Sequence, residues 1–372
     1  MYLKRLELIN FRNYKNFVIE FGEKLNVVLG ENAQGKTNVL EAIYLLSTGK
    51  SHRALTIKEL VSRGASVANV RGTVCYRGRE TRLKITINNQ DEVGLARKEN
   101  AVQIGTSSTP SLLKAVLFSP EDSAIVKGGP EKRRDFLDDF GFQLSPKYRY
   151  WRRQYGKILK QRNALLKTMP KEPNAGEALW VWDERLAEAG AHLTIWRESL
   201  VESLNTNCAC IYSEIAPGAA LSIKYVNGAG AKGNKTFEVI ESKLKEVLRA
   251  DLIKDRERGA TSAGPHRDDL VFLDKEVDLR SFGSQGEQRT TALALKLAEL
   301  EILKEEIGES PVLLLDDVMS ELDENHRLRL MAAVLNSAQT IITSTNPGYF
   351  NELHFKEASV FEVKEGKARR ML

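Results

Sequence analysis

An α/β fold with a mixed sheet and a separate, mainly helical lobe is predicted by three features of the sequence. Short apolar runs typical of buried strands occur near both ends of the chain, at 25–29, 312–316 and 340–344. A glycine-rich loop and then helical periodicity follow the first of these runs. Helical periodicity also dominates the stretch between about 127 and 256. We therefore expect a head built from both ends of the chain, with the helical lobe inserted between them.

The composition is that of a soluble protein with about two domains, or one large α/β domain with an insertion. The chain has 372 residues, of which 42% are hydrophobic and 28% are charged. No apolar run is long enough to cross a bilayer, and the first residues lack the apolar core of a signal peptide. The three cysteines predict neither a disulfide framework nor a zinc site. We therefore expect a cytoplasmic protein with no membrane partner.

The first predicted segment, residues 1–126, forms the N-terminal half of the head. Residues 3–21 alternate as two strands joined by a turn at 13–16, and the helix after the glycine-rich loop is expected over 38–46. Further strands are expected at three short stretches, 73–76, 83–87 and 115–118.

The second predicted segment, residues 127–256, is a helical arm lobe. Pro130 lies just inside one helix start, and Ser145 is placed to cap another. Beyond these starts the sequence predicts helical character to Cys210, a flexible loop at 228–233 and a helix over 237–256.

The third predicted segment, residues 257–372, returns to α/β character and completes the head. A strand at 269–273 precedes a long amphipathic helix over 284–307. The buried strands at 312–316 and 340–344 follow this helix.

The loop after the first buried strand has the pattern G-x-x-x-x-G-K-T and predicts nucleotide binding. Its residues are Gly30, Glu31, Asn32, Ala33, Gln34, Gly35, Lys36 and Thr37. Backbone N–H groups of such a loop wrap a polyphosphate, here that of ATP. Lys36 would neutralise the β- and γ-phosphates, and Thr37 would bind Mg²⁺. The alternative is a glycine-rich turn with an incidental lysine.

Two carboxylates end the apolar run V-L-L-L that begins at Val312. A carboxylate at the carboxyl end of a buried strand holds Mg²⁺ in P-loop proteins, so Asp316 is the second predicted metal ligand. Asp317 is placed to orient or deprotonate the attacking water. Lys36, Asp316 and Asp317 are thus the predicted catalytic residues. The alternative is a strand that ends in two turn-forming aspartates.

The long predicted helix opens with S-Q-G-E at 284–287, which resembles the signature motif of ABC-type ATPases. A serine, a small residue and exposed N–H groups at a helix N-terminus form an anion site. In that family the motif caps the γ-phosphate held by the other subunit. The resemblance implies that Ser284 and Gly286 bind the ATP of a second copy. The alternative is an ordinary serine-capped helix.

Other positions depart from the ABC-type pattern. Residues 320–323 resemble the family's dimer-contacting loop. The usual γ-phosphate-sensing histidine is missing, so that role would fall to Thr343 or a neighbour, because His326 lies too early in the chain. The usual glutamine is not evident either. In its region, Glu121 or Asp122 would contact metal or water, or would simply start a helix.

The stretch L-I-N-F-R-N-Y at 8–14 resembles the SMC and RecF group of DNA-maintenance ATPases. Within this group the RecF family is the most similar, and the resemblance extends from residue 3 to beyond residue 346. It is carried by G-K-S-H-R at 49–53, S-P-E-D at 119–122, K-G-G-P at 127–130, R-R-D-F-L-D at 133–138, S-A-G-P-H-R-D-D at 262–269 and the aspartate at 317.

The resemblance implies an ABC-type ATPase head with a short helical arm in place of a long coiled coil. It implies a homodimer that forms on ATP binding, DNA binding, and weak, DNA-stimulated hydrolysis that releases the DNA. Arg12 is placed among the nucleotide-binding residues on the same ground. The resemblance further implies roles in DNA replication, in repair of single-strand gaps with RecR, RecO and the recombinase RecA, and in the SOS response.

Residues 127–167 hold the local excess of positive charge expected of a polyanion-binding surface. The segment has twelve basic and four acidic residues, a net charge of +8, whereas the whole chain carries +5. The candidates for DNA contact are Lys50, Arg53, Arg133, Arg134, Arg149, Arg152 and Arg153. Single-stranded, duplex and gapped DNA all remain open as partners. The alternative is a solvated helix face.

One helix carries several of these basic residues beside aromatic ones. Tyr148, Trp151 and Tyr155 recur at helical spacing and are expected to form the buried stripe of that helix. The basic residues next to them, Arg149 and Arg153 among them, would then face solvent and the phosphates.

The stretch H-R-D-D at 266–269 fits a structural role at least as well as a catalytic one. No nucleophile–base arrangement for chemistry on DNA is evident. Three other functions remain. A transporter ATPase would need a transmembrane partner, and an ATP-dependent nuclease of the OLD type would need a further metal domain. A structural DNA-binding protein would keep ATP as a static ligand. A turnover assay would then detect no hydrolysis.

Overall fold

The three-dimensional structure is a computed structural model. It describes residues 1–88, 95–99, 102–106, 112–168, 175–228, 236–320, 339–350 and 358–371, and six single residues between 322 and 334. The chain forms two compact units, one built from Met1–Asp122 and Lys296–Leu372 and the other from Ser123–Leu295. The predicted domains, 1–126, 127–256 and 257–372, stay a prediction, and they differ from these units mainly at the second boundary.

The first unit contains a six-stranded antiparallel sheet. In spatial order its strands are β2 (Tyr14–Glu20), β1 (Tyr2–Phe11), β4 (Val67–Tyr76), β5 (Arg79–Asn88), β6 (Leu95–Glu99) and β7 (Val102–Thr106). The strands predicted within 3–21, at 73–76 and at 83–87 are confirmed. The turn predicted at 13–16 is shorter than expected. Arg12 adopts a positive φ of 53°, so the chain reverses over two residues and Tyr14 already pairs with Phe11.

The second sheet of the first unit carries the glycine-rich loop. In spatial order its strands are β15 (Lys367–Arg370), β14 (Ser359–Lys364), β3 (Leu25–Leu29), β13 (Thr340–Ser344), β12 (Val312–Asp316) and β8 (Ala115–Phe118). All except the antiparallel edge strand β15 pair in parallel. The four strands predicted from apolar runs are confirmed with these bounds, because strands covered on both faces need continuous apolar sequence.

Helix α1 (Lys36–Thr48) contacts strands of both sheets. Val39, Leu40 and Ile43 are fully buried in the core cluster that holds these strands together. Each such side chain contributes about 1.5–3 kcal/mol relative to exposure. The start of α1, and with it Lys36 and Thr37, is therefore fixed by the packing of the whole unit.

The second unit is mainly helical. Its helices are α2 (Ser123–Lys127), α3 (Pro130–Leu144), α4 (Pro146–Thr168), α5 (Ala175–Ile215), α6 (Phe237–Ala250) and α7 (Leu252–Arg258), and it contains the start of α8 (Gln285–Ile307). The helix starts predicted at Pro130 and Ser145 are confirmed, and Ser145 Oγ accepts hydrogen bonds from the N–H groups of Lys147 and Tyr148. The single helix predicted over 237–256 is wrong, because a break at Asp251 divides it. Among the described residues, no helix combines the length and apolar character needed to span a membrane.

A three-stranded sheet completes the second unit. Its strands in spatial order are β11 (Val277–Asp278), β10 (Asp269–Asp274) and β9 (Leu221–Val226). The strand predicted at 269–273 is confirmed, but it does not join the sheet of the head. It pairs along its length with β9, from Asp269 opposite Val226 to Asp274 opposite Leu221. The loop predicted at 228–233 lies, apart from Gly228, outside the described residues.

Candidate nucleotide-binding site

The glycine-rich loop joins β3 to α1, and close backbone approach requires its two glycines. A Cβ atom on Gly30 would lie 2.5 Å from the carbonyl oxygen of Val363. Gly35 has a φ of +107°, and a Cβ atom there would lie 2.7 Å from side-chain atoms of Asn13 and Tyr14. Tyr14 Oη also donates a 3.0 Å hydrogen bond to the Gly35 carbonyl. The turn after β1 therefore fixes the point at which α1 begins.

Lys36 points back into the loop that precedes it. Its ammonium donates to the carbonyl oxygens of Gly30, at 2.7 Å, and Glu31, at 2.8 Å. Burial lowers the pKa of Lys36, while the nearby charges of Asp317 and Asp316 act in the opposite direction. The loop thus encloses a cation. Two carbonyl oxygens hold this cation, and phosphate oxygens could replace them.

Asp316 is the meeting point of three elements. Its Oδ1 accepts a 3.0 Å hydrogen bond from Thr37 Oγ1 at the start of α1 and a 2.7 Å bond from Thr343 Oγ1 on β13. Asp316 and Thr343 are paired residues at the carboxyl ends of β12 and β13. Burial raises the pKa of Asp316, and the two hydroxyl donors only partly oppose this. A divalent cation beside the carboxylate would favour its ionised form.

Asp317 leaves the strand with a strained backbone and an unsatisfied carboxylate. Its φ of 50° lies in the left-handed region, at a cost of about 1–3 kcal/mol. Its N–H donates to Thr343 Oγ1, and its carbonyl accepts from the Ser320 hydroxyl at 2.7 Å. Its Oδ1 is buried with no hydrogen-bond partner among the described residues. A buried oxygen of this kind is suited to hold a water molecule or ligand.

The residues present fit a magnesium–polyphosphate group. The site gathers an ammonium, a threonine hydroxyl and two carboxylates around a loop of backbone N–H groups. Within the part of the chain that the structure describes, no group of three or more His, Cys, Asp or Glu side chains forms a self-contained metal site. Mg²⁺ is usually held by one or two carboxylates together with substrate phosphates and water, and Asp316 and Asp317 are two such carboxylates.

Among the candidate site residues, Thr343 is the one whose role the sequence predicted least clearly. Its hydroxyl donates to Asp316, and it accepts from the N–H of Asp317. It therefore holds the carboxylate of Asp316 and the backbone of Asp317, while the predicted sensing of the γ-phosphate stays a prediction. Only its place at the end of a strand adjacent to β12 signalled a role.

Arg12 lies at the turn after β1 and is held by a buried carboxylate. Its Nε and Nη2 donate to Glu41 at 2.8 and 2.7 Å, and its Nη1 donates to the Glu59 carbonyl at 3.1 Å. Burial alone would raise the pKa of Glu41, but hydrogen bonds from Arg12 and Ser51 outweigh it and lower the value. The predicted contact of Arg12 with nucleotide stays a prediction. Glu41 was missed, although a lone glutamate in an apolar helix is itself a signal of a buried ion pair.

The segment after α1 places two predicted basic residues at the surface. Lys50 and Arg53 are exposed. Between them, His52 lies edge-on to the ring of Tyr44 at 5.8 Å. Both of its ring nitrogens are buried with no hydrogen-bond partner among the described residues, and burial lowers its pKa.

Ser284 caps the start of α8 in the second unit. Its Oγ accepts from the N–H of Glu287 at 3.2 Å, while the Glu287 carboxylate accepts from the Ser284 N–H at 2.7 Å. This reciprocal arrangement is a capping box. Ser284 and Gly286 are both exposed, so the helix start is accessible to a ligand or to a second copy. Their predicted contact with ATP stays a prediction.

Two of the predicted DNA contacts are buried, which corrects the expectation that they face solvent. Arg133 is 1% exposed and binds Asp269 through two hydrogen bonds, at 2.5 and 2.9 Å. Arg149 is 6% exposed and donates to the carbonyl of Phe142 at 2.7 Å. Burial lowers the pKa of Arg149 to about 10. Both cations serve the packing of α3 and α4, and we do not assign them to DNA.

The remaining basic candidates are more accessible. Arg152 is half-buried and pairs with Asp138 at 2.6 Å. Arg134 is also half-buried and donates to the Asp268 carbonyl at 2.9 Å. Arg153 is exposed. Of the aromatic stripe, Tyr148 and Tyr155 are buried as expected, whereas Trp151 is only half-buried.

The loop at 262–269 is held by its polar side chains, which supports the structural interpretation. His266 lies 3.0 Å from the Thr261 carbonyl through Nε2 and 2.6 Å from Tyr155 Oη through Nδ1. Because a carbonyl only accepts, Nε2 carries the proton and Nδ1 accepts from Tyr155. Burial lowers the pKa of His266 to about 4. Asp268 accepts from Tyr225 Oη in a short hydrogen bond.

The positions that depart from the ABC-type pattern have ordinary local roles where the structure describes them. Asp122 accepts from the N–H and the hydroxyl of Ser119 at 2.7 and 3.1 Å, so it caps the turn that precedes α2. Glu121 is exposed. Of the predicted dimer-contacting loop, positions 321 and 323 lie outside the described residues, as does His326.

Comparison with known proteins gives a family match over almost the whole chain. A family model described as the RecF/RecN/SMC N-terminal domain matches residues 2–369. The chain is 41% identical over 369 residues to the DNA replication and repair protein RecF of Pediococcus pentosaceus, with 98% of each chain covered. It is 39% identical over 371 residues to the protein of that name from Alkaliphilus oremlandii, covering 99% of this chain and 100% of that protein.

Solved structures agree with the family match. A structure of the recombination mediator protein RecF with ATP, in the RecFOR pathway, aligns with a TM-score of 0.92 and 37% identity, covering 100% of this chain and 98% of that one. An Smc head bound to the C-terminal winged-helix domain of ScpA aligns with a TM-score of 0.56 and 16% identity. The second likeness shows the fold alone, which is that of RecF and SMC head ATPases.

Proposed function

The chain belongs to the RecF/RecN/SMC N-terminal domain family, and within it we propose an ATP-dependent DNA-binding protein of replication and recombinational repair. Relatives named for DNA replication and repair, at 39% and 41% identity over nearly the whole chain, support this function. The RecF–ATP structure supports ATP as the nucleotide. We further propose that the protein acts at single-strand gaps in the cytoplasm, assists RecA loading with RecR and RecO, and contributes to SOS induction.

One observation carries the proposal at the level of chemistry. Thr37 Oγ1 donates to Asp316 at 3.0 Å, and the neighbouring Asp317 keeps a buried oxygen without a partner among the described residues. A hydroxyl and a carboxylate in contact can supply two of the six oxygen ligands of Mg²⁺, and the second carboxylate is available to a water molecule. A site that only holds nucleotide would need the contact between Thr37 and Asp316, but it would not need Asp317.

Each residue of the site has a distinct task. Bound Mg²⁺–ATP supplies the electrophilic γ-phosphorus and the divalent charge that neutralises the phosphates. Lys36 exchanges its loop carbonyls for phosphate oxygens, and Thr37 and Asp316 hold the metal. Asp317 orients the attacking water and accepts its proton. Thr343 keeps the carboxylate of Asp316 and the backbone of Asp317 in place.

The proposed switch needs two copies of the chain. Ser284 and Gly286 of one copy bind the γ-phosphate that Lys36 of the other copy holds. The exposed, capped start of α8 supports this role, because the dipole at a helix N-terminus favours an anion. Two such sites related by a twofold axis close the dimer, and hydrolysis opens it.

DNA binding is proposed for the accessible basic residues. Lys50, Arg53 and Arg153 are exposed, and Arg134 and Arg152 are half-buried. Contacts of lysine and arginine with phosphates give binding that is independent of sequence and weakens with salt. DNA bound in this way would stimulate the weak ATPase by favouring the paired state, since the two equilibria are linked.

Substitution of the second carboxylate tests the proposed chemistry. Asp317→Asn should bind ATP normally but lower the turnover rate at least about 100-fold, because the amide cannot accept the proton of the water. ATP affinity is measured by titration and turnover by phosphate release, in the presence of DNA. Lys36→Ala is the matched control and should lose ATP binding itself.

Normal turnover in Asp317→Asn would contradict the role given to Asp317. Absence of turnover in the unmodified protein, with ATP still bound, would instead favour a structural protein that keeps ATP as a static ligand.

A further inference from the structure

A groove with a volume of about 370 Å³ lies between helices α4 and α5 of the second unit. Three aromatic side chains line it: Tyr150, Trp151 and Trp182. Tyr150 is 54% exposed, and the two tryptophans are half-buried. Trp151 stacks on His192 with ring centroids 3.9 Å apart and an interplanar angle of 18°. We call this feature the α4–α5 groove; its aromatic walls are fixed by packing on one side and accessible on the other.

The groove is bordered by positive charge. Lys157 and Arg185 line it together with one acidic residue, Glu188, and Arg185 lies over the ring of Trp182 at 5.9 Å. Helix α4 has eight basic residues and no acidic one. Arg153, Lys157 and Lys160 are exposed at spacings of four and three residues, which places them on one side of the helix over about 10.5 Å.

The remaining lining residues narrow the choice of ligand. Gln154 and Gln161 contribute amide donors and acceptors, whereas Ile158 and Ala189 are the aliphatic lining residues that the structure describes. A docked amphipathic helix needs a row of apolar contacts, whereas five of the ten lining residues that the structure describes carry amide or charged groups. Aromatic faces, amides and cations together match a nucleotide strand.

We propose that the α4–α5 groove binds single-stranded DNA, with unpaired bases stacked on the aromatic side chains and phosphates held by Lys157 and Arg185. Stacking on aromatic side chains beside a cationic track is the general mode of single-strand binding. Duplex DNA does not fit this chemistry, because its bases are already paired and stacked on one another. The cavity lies near the lower end of the range of about 300–1,000 Å³ for small-ligand sites, which suits one or two bases.

This inference extends the proposed DNA binding to a second surface that lies outside the nucleotide site and does not require ATP. It is tested with the full-length protein in the absence of nucleotide. The affinity for a fluorescent oligothymidylate of about 20 nucleotides, longer than the sites of about 4–16 nucleotides typical of one binding module, is measured by anisotropy. Trp182→Ala should weaken binding about 5- to 150-fold, the effect of losing one stacked base.

Two control substitutions separate the groove from the rest of the helical unit. Trp180→Ala removes a tryptophan that is 57% exposed, two residues from Trp182 and not among the lining residues. It should leave the affinity unchanged. Lys157→Ala should lower the slope of log affinity against log salt by about 0.7, the value for one phosphate contact on a single strand. Lys147→Ala, an exposed lysine outside the groove, should not change that slope.

We expect Trp182→Ala to lose oligothymidylate binding but to bind duplex DNA with ATP as the unmodified protein does. That result would support a separate single-strand site. Unchanged oligothymidylate binding in Trp182→Ala, or an equal loss in Trp180→Ala, would overturn it. An equal loss of duplex binding, or a loss of RecR binding in place of DNA binding, would also overturn it. Because the oligothymidylate measurements contain no nucleotide, failure of the proposed ATP switch would not alter them.

Discussion

Arg162 is fully buried in the second unit, and two carboxylates hold its charge. Its Nε donates to Asp183 at 2.6 Å, and its Nη1 donates to Asp255 at 2.7 Å and to Thr261 at 2.8 Å. Removing ions from water costs several kcal/mol each, so a buried cation is tolerated only with partners of this geometry. The group ties α4, α5 and α7 together at one point.

Removal of the Arg162 charge should destabilise the second unit. Arg162→Met keeps most of the side-chain volume but leaves Asp255, which is fully buried, without its cation. Loss of one partner of a buried pair costs about 3–5 kcal/mol. For a unit of this size that is a decrease in Tm of about 6–20 °C, measured by differential scanning calorimetry.

The matched control is Arg153→Met, the same substitution at an exposed position of the same helix. Its effect on stability should stay within about 0.5 kcal/mol. Equal Tm values for the two variants would show that the Arg162 group contributes nothing to stability and would contradict this interpretation.

The charge pattern along the chain predicted more basic side chains at the surface than the structure has, because some of the arginines are buried in ion pairs. Arg133 binds Asp269, which is 136 residues away in the chain, and Arg162 binds Asp255, which is 93 residues away. No local pattern reveals such partners, so a sequence shows the cations but not their neutralisation. The residues that meet at the candidate nucleotide site could be located from the sequence because their signals are local: Lys36 and Thr37 belong to one motif, Asp316 ends a strand, and Asp317 follows it. The contacts of Thr343 with Asp316 and Asp317 were not predicted, because they depend on strand pairing.

Elements were predicted well where their signals are local and poorly where they depend on partners. The starts of α3 and α4 follow from a proline at N1 and a serine cap, and the four parallel strands follow from apolar runs. Strand β10 was located correctly but assigned to the head, since nothing in its sequence reveals its pairing with β9. The break at Asp251 lacks the glycine or proline that usually marks a helix end.

The start of α8 is the element on which pairing of two copies depends in our proposal. Ser284→Arg should leave ATP binding to the single chain intact, because Lys36, Thr37 and Asp316 are untouched. It should abolish ATP-dependent pairing, because a long cation replaces a small capping residue at the exposed helix start. The mass of the particle with ATP is measured by light scattering after size-exclusion chromatography.

The control for this element is Ser281→Arg, the same change at an exposed position three residues earlier. It should pair as the unmodified protein does. A dimer that survives Ser284→Arg would exclude the proposed bridge between α8 of one copy and the phosphates of the other.

At the scale of the whole molecule, the first unit is assembled from both ends of the chain. The glycine-rich loop comes from the N-terminal part, and the paired carboxylates come from the part that follows the helical unit. Thr37 and Asp316, which are 279 residues apart in the chain, therefore come into contact only when both parts have folded into one unit. The sequence predicted that both ends of the chain build this unit, because the glycine-rich loop and the paired aspartates must lie together to hold Mg²⁺–ATP.

The most direct test of the proposed switch is the mass of the purified protein in sedimentation velocity, compared without nucleotide, with ADP and with ATP, each with and without a short gapped duplex. We expect a single chain without nucleotide or with ADP, a dimer with ATP, and a larger dimer fraction when DNA is present. A mass that does not respond to ATP would contradict the proposal that nucleotide bridges two copies.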